Sequence, residues 1–284
     1  LSYFLYLPAL AANCKATTPS DSSIVNFLQD EYHVKFTNNN RIVVFKTGKE
    51  KFDDLFPAIR AAKESIHLEY FNFRNDSISK ELFTLLVHKA AEGVKVRALF
   101  DGFGNSSNNR PLRRRHLDSL RARGIEIYEF DPIRFPYLNH IAHRDHRKIV
   151  VIDGQVAYTG GMNVADYYIM GKPEFGEWRD LHTRVEGDAV GELQRVFLEF
   201  WNKVTKQNIH GPQYYPGEKD ARQNFGMLKQ DTTPTAGTKQ VGVVNRVPKA
   251  TPRIIHVPFI HSINTAEKQI LIINPYLTLC RHLK

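Results

Sequence analysis

Apolar positions along the chain follow two rhythms that take turns. Between Ser79 and Glu92, Leu82, Leu85, Leu86 and Ala90 fall on one face at helical spacing, and Gly93 stops the run. Val94 to Phe100 alternates with the period of a strand, and Ser65 to Phe73 upstream has strand character. Together these segments predict a βαβ unit. A further helix is predicted from Arg113 to Arg123, closed by Gly124, with the next strand from Ile125 to Phe130. Val190, Leu193, Phe197, Phe200 and Trp201 mark the apolar face of another amphipathic helix. Strands and helices in this order predict an α/β fold, a sheet with helices packed on it.

The same patterning divides the chain. Residues 13–40 are polar and rich in Ser, Thr and Asn apart from Ile24 to Leu28, and read as an extension leading into a domain over 41–210. Residues 211–252 lapse into Gly, Pro, Gln and Thr, with Pro212, Pro216, Pro234 and Pro248 as breakers, and read as a linker or long loop. Beyond it a phrase returns: Ile59-x-x-Ala62-x-x-x-Ile66-x-Leu68 becomes Ile263-x-x-Ala266-x-x-x-Ile270-x-Ile272. Residues 253–284 are therefore expected to open a second, truncated copy of the α/β unit, with a strand from Gln269 to Asn274. Residues 1–12 are apolar and aromatic, and Ala9-Leu10-Ala11 has the small-x-small form of a signal-peptidase site. They read as the remnant of a signal peptide, with a buried N-terminal strand or helix as the alternative. The run is too short to span a bilayer as a helix. The expected location is the cytoplasmic membrane, with the site on its periplasmic side if the cleavage site is genuine.

Composition changes this picture in two respects. A formal charge of +9 on 284 residues favours polyanionic partners, either nucleic acid or the headgroups of an anionic membrane. Cys14 and Cys280, far apart, supply neither a disulfide framework nor a cysteine-rich zinc site.

The segment richest in chemistry is His143-Arg144-Asp145-His146-Arg147-Lys148-Ile149-Val150-Val151-Ile152-Asp153-Gly154, followed by Thr159-Gly160-Gly161-Met162-Asn163. Residues two apart on a strand share a face, so His146 and Lys148 project together. An imidazole nucleophile beside an ammonium that neutralises phosphoryl oxygens suits attack on a phosphodiester. Lys148 also disfavours the imidazolium and so preserves the lone pair of His146. Asp153-Gly154 predicts a hairpin. Gly160 and Gly161 let backbone N–H groups approach an anion, and Asn163 adds a side-chain donor. Blander readings stand beside these: Asp153 as a turn former, Gly160-Gly161 as a tight turn, and His140, His143 and His146 as metal ligands. The last lacks a completing Cys or Glu and would place a cation against Lys148.

The pattern His146-x-Lys148-x4-Asp153 with Gly160-Gly161-x-Asn163 resembles the HKD signature of the phospholipase D superfamily. His67-Leu68-Glu69-Tyr70 after Ala62-Lys63, Gly93-Val94-Lys95-Val96-Arg97, and Trp178-Arg179-Asp180-Leu181-His182 resemble its cardiolipin synthase branch. The sequence departs from the family pattern at Ala142 and Asp145, where asparagines are common. The resemblance implies a phospholipase D-like sheet flanked by helices, the first half of a duplicated two-lobe architecture. It implies catalytic residues His146, Lys148, Asp153 and Asp180, with phosphate held by Lys148, Gly160, Gly161 and Asn163. His146 would form a phosphohistidine, Asp180 would hydrogen-bond that imidazole, and neither metal nor cofactor would take part. The implied substrate is an anionic, phosphatidylglycerol-like phospholipid at a membrane surface. A second HKD half, in cis or from a homodimer, would complete the site. A phospholipase D hydrolase or a nuclease of the same superfamily is the alternative enzyme, and a non-catalytic basic module that binds membranes or nucleic acid is the alternative of another class.

Overall fold

The computed structural model describes residues 3–4, 19–132, 144–174, 176–215, 237–247, 251 and 254–273. Cys14, Cys280, Ala142, His140, His143 and most of 1–12 lie outside the described residues. The described strands form one sheet in the order β1-β9-β2-β8-β7-β6-β3-β4-β5. In chain order these are β1 (Tyr3–Phe4), β2 (Phe36–Phe45), β3 (Ser65–Tyr70), β4 (Lys95–Asp101), β5 (Glu126–Phe130), β6 (Ile149–Ile152), β7 (Val156–Gly160), β8 (His182–Glu186) and β9 (Lys239–Val244). β3, β4 and β5 run parallel, joined by α3 (Ser77–Ala91) and α5 (Arg114–Ala122), which supply the crossovers that parallel strands require; the short helices α4 (Gly102–Ser106) and α6 (Tyr167–Met170) follow β4 and β7. The remaining pairings are antiparallel.

The central strands β3 and β6 are buried on both faces, so β6 reads as a continuous apolar run, while β3 alternates Ile66, Leu68 and Tyr70 with the buried polar Ser65, His67 and Glu69. Val150 and Ile152 of β6 point into the larger core with Leu55, Phe56 and Ile59 of α2 (Gly48–Ala61) and Leu82 and Leu86 of α3. Ile149 and Val151 point the other way, onto Val190, Leu193 and Val196 of α7 (Ala189–Thr205). Farther along α7, Phe197, Phe200 and Trp201 form their own cluster with Leu99.

Two segments depart from the expectation. The polar stretch before residue 41 contains α1 (Pro19–Tyr32) and the first half of β2, and Ile24, Val25 and Leu28 of α1 pack with Val34 and Val244. Its apolar content is confined to one narrow stripe, too sparse to stand out against the Ser and Asn around it. The stretch 211–252 contains β9, which lies in the sheet between β1 and β2. Gly242 within it gives room to the Phe36 ring, since a Cβ there would sit 2.6 Å from a ring carbon. A glycine in so short a strand hides the alternation. The repeated phrase does begin on a helix, His256–Asn264, but Gln269 to Ile273 pairs with no strand among the described residues.

Candidate active site

The residues after 143 lead into β6, and alternate side chains separate, Asp145 and Arg147 to one set of partners and His146 and Lys148 to another. Asp145 and Arg147 turn inward to a buried charge network. Arg147 Nε lies 2.8 Å from Glu69 Oε1 and donates to Asp145 Oδ1 at 2.8 Å, with its guanidinium 4.2 Å from the Phe200 ring centroid. Burial pushes the Glu69 carboxyl well up, against the pull of the Arg147 charge. Burial acts the same way on Asp145, yet the charge and hydrogen bonds of Arg147 hold that carboxyl below its usual range. The departure from the family pattern at Asp145 thus supplies a counter-ion to Arg147.

His146 and Lys148 turn to the other side. The Lys148 ammonium lies 3.0 Å from His146 Nδ1 and 3.2 Å from Nε2, and donates to the His146 carbonyl at 2.8 Å. Phe71 walls the pair, 4.5 Å from the imidazole and 5.5 Å from the ammonium. Burial, reinforced by the Lys148 charge, lowers the His146 pKa to about 3. Burial also lowers Lys148 to about 7, against the pull of Asp145, Asp180 and Asp101. Near neutral pH the imidazole is therefore uncharged, with a lone pair facing the ammonium.

The loop after β7 closes the site. Asn163 is buried; its Nδ2 reaches the Tyr168 hydroxyl at only 3.5 Å, and its Oδ1 has no partner. A buried amide left so nearly unbonded is available to a ligand. Asp180 lies directly against Gly161, where a Cβ would stand 2.1 Å from its Oδ1. Burial raises the Asp180 carboxyl, while the Leu181 N–H bond at 2.7 Å and the charges of Lys148 and Lys51 oppose the rise.

Four of the expected site residues, Asp153, Gly160, Gly161 and Asp180, have neighbours other than those expected. Asp153 does not join the cluster: the length of β6 separates it from Lys148, roughly 16 Å at about 3.3 Å per residue. Its Oδ2 accepts from the Lys63 N–H at 2.8 Å and its Oδ1 from those of Glu64 and Ser65 at 2.8 and 2.9 Å. With φ of 52° at Asp153 and 65° at Gly154, and Gln155 N–H bonded to the Ile152 carbonyl, it turns the hairpin and fastens it to the start of β3. Gly161 does not offer its N–H to an anion, because that N–H donates to the Leu181 carbonyl at 2.8 Å. It instead leaves space for Asp180. Gly160 likewise leaves space, its φ of 156° and missing Cβ admitting Leu181 and His182. Finally, no hydrogen bond links Asp180 to His146 among the described residues; Asp180 faces the two lysines.

Two residues of the site escaped the sequence reading. Lys51 of α2 is fully buried and donates to the Met162 and Asn163 carbonyls at 3.1 and 3.2 Å. The signal was present: Thr47-x-x-Glu50 is a capping box, followed by Phe52, Leu55, Phe56 and Ile59 at helical spacing. His182 on β8 is fully buried with neither ring nitrogen bonded, and burial together with Lys51 and Lys148 holds its pKa well below the usual value. Among the described residues no group of three or more His, Cys, Asp and Glu could hold a metal ion.

Comparison with known proteins places this geometry. A family model described as the phospholipase D-like domain of cardiolipin synthase matches residues 55–200. The chain belongs to this family. It is 41% identical over 182 residues to the cardiolipin synthase of Halalkalibacterium halodurans, covering 64% of this chain and 35% of that one. It is 34% identical over 271 residues to the major cardiolipin synthase of Bacillus subtilis, covering 93% of this chain and 51% of that one. The chain thus spans about half or less of the length of these relatives. Among solved structures, a phospholipase D family member, Nuc from Salmonella typhimurium, aligns with a TM-score of 0.42 and 20% identity over 59% of this chain and 95% of that one.

Proposed function

We propose that this chain carries the nucleophilic half-site of a phosphatidyltransferase that builds cardiolipin-like products from anionic phospholipids. The observation that supports the reading most is the pairing of a neutral His146 imidazole with the Lys148 ammonium at 3.0 Å, beside the unsatisfied amide of Asn163. When a phosphodiester enters, Lys148 leaves the imidazole for a phosphoryl oxygen, and the freed ring nitrogen attacks phosphorus. The bond from phosphorus to the first alcohol breaks as the N–P bond forms. The departing oxygen takes a proton from a general acid, a role for the histidine of a second HKD half supplied in cis or by another copy. A second alcohol then attacks the phosphohistidine, gives up its proton to that same group and restores His146. Lys148 and Asn163 hold the phosphoryl oxygens throughout, and the charge that develops on them is what their donors stabilise.

The substrate brings the protein to a membrane surface. No helix among the described residues is long and apolar enough to cross one, so the reading is contact at the surface by this part of the chain. The test is lipid analysis of cells that express the whole gene. Accumulation of cardiolipin that is lost in His146→Ala supports the reading. Phosphatidic acid alone would make the protein a hydrolase, and unchanged lipids with a folded protein would remove it from lipid metabolism.

A further inference from the structure

Asn163 poses a mechanical problem, for the side chain that is to grip phosphate is scarcely held by bonds of its own. Its Oδ1 is unpartnered, and its amide meets only the hydroxyls of Tyr168, 3.5 Å from Nδ2, and Tyr167. Its aim therefore depends on the backbone on either side of it. The neighbouring Gly161 N–H and Val164 carbonyl are tied to Leu181 and Arg74, but the carbonyls of Met162 and Asn163 themselves are both held by the Lys51 ammonium, which donates to each. Lys51 is 0% exposed, an expensive place for an amine that serves no purpose.

The surroundings of Lys51 suit an anchor. Its ammonium rests against the ring faces of Phe52 at 4.6 Å and Tyr70 at 5.0 Å, which accept a cation without offering it a competing carboxylate. Its helix is fixed at the same end by the Thr47–Glu50 capping box. Gly48 in that first turn has no Cβ, which would stand 2.5 Å from the Tyr168 carbonyl, so α2 abuts the residue that Asn163 Nδ2 touches. Asp180 attracts the ammonium and Lys148 repels it, so Lys51 lies within the electrostatic reach of both site residues.

We propose that Lys51 is a positioning residue for the phosphate site: by tying the Met162 and Asn163 carbonyls to α2 it aims the Asn163 amide and keeps Asp180 seated against Gly161. The inference deepens the proposed function and rests on that reading of the site. It acts through hydrogen bonds that an amine donates whether or not it is charged.

The experiment is a double-mutant cycle on the full chain, with inorganic phosphate as the probe, read by calorimetry, and with thermal melting to certify folding. Lys51→Met should weaken phosphate binding about tenfold, the equivalent of one hydrogen bond lost. Lys51→Gln, which keeps an amide donor without the charge, should lose about threefold or less. In an Asn163→Ala background either substitution should cost no further affinity, because the group that Lys51 aims is gone. A merely structural lysine would lower melting without this coupling. Losses that add in full, or a folded Lys51→Met that binds phosphate like the parent, overturn the inference alone. Should Lys51→Met fail to fold, Lys51→Gln carries the same comparison, and equal losses in both backgrounds overturn the inference. A parent protein that binds no phosphate overturns the site reading and the inference together.

Discussion

Replacing Asp153 separates the architecture of the site from its chemistry. The carboxylate accepts three backbone N–H groups, two of them partly buried, and joins the β6–β7 turn to the entry of β3. In Asp153→Ala the Lys63 N–H, which is exposed, recovers a bond from water. The Glu64 and Ser65 N–H groups do not recover fully, at a net cost of about 1 kcal/mol each. The residue also sits at φ 52°, where alanine adds about 1 kcal/mol that Asp and Asn largely avoid. The total is about 3 kcal/mol, and at about 2–4 °C per kcal/mol the melting temperature should fall by roughly 6–12 °C. Asp153→Asn keeps one acceptor and the tolerance for positive φ, and should lose about half as much. Urea and thermal unfolding of the three proteins measure the stability, and phosphate binding by calorimetry measures the site. Affinity should stay within about twofold of the parent below the melting range, less than 0.5 kcal/mol. Unchanged stability with phosphate binding abolished would refute the argument and return Asp153 to the catalytic set.

Two pH dependences follow from the buried groups. Dimethyl phosphate carries one charge that does not titrate near neutrality, so its affinity should fall about tenfold per pH unit above pH 7, where Lys148 loses its proton. Lys148→Arg should flatten that profile, and a profile flat from pH 6 to 9 in the parent would refute the assignment. His67, His146 and His182 are all held neutral, with pKa values lowered from 6.5, the first two to about 3. The unfolded chain then takes up protons first as pH falls. The stability they confer is complete above pH 6.5 and is lost on acidification, by about 1.4 kcal/mol per pH unit for each histidine. Glu69, raised by burial, acts in the opposite sense from its ordinary value near 4.5 upward, so the slope of the parent mixes the two and the difference between the parent and His67→Gln isolates the histidine. Urea unfolding should show a shallower slope in His67→Gln, and an identical slope would contradict this account.

How far the sequence reached depended on where each residue's partners lie. The βαβ unit, the hairpin at Asp153-Gly154 and the long helix carrying Trp201 were legible because periodicity and turn chemistry are local. The proximity of His146 and Lys148 was legible for the same reason, since residues two apart on a strand share a face. The distribution of roles was harder. Whether Asp153 faces substrate or the Lys63–Ser65 backbone depends on a partner strand far away in the chain, and the motif alone puts it with its neighbours. Gly161 looked like a donor because a glycine beside a phosphate motif exposes its N–H, but β8 takes that N–H first. Lys51 was hidden most deeply, for a lysine in a polar-looking helix reads as solvated until the fold brings the carbonyls of Met162 and Asn163 over it. β9 was hidden by composition, as Gly242 breaks its short valine run and the polar Lys239 and Gln240 precede it.

The central claim is that the His146 ring nitrogen becomes covalently bound to phosphorus during turnover. Whole protein mixed with phosphatidylglycerol in vesicles, quenched by rapid denaturation at neutral to mildly alkaline pH and digested without acid for mass spectrometry, tests it directly. The expected result is a phosphatidyl adduct on the peptide that contains His146, base-stable and acid-labile as a phosphoramidate should be, and absent from His146→Ala. Turnover that persists in His146→Ala, or an adduct on a different residue, would contradict the account.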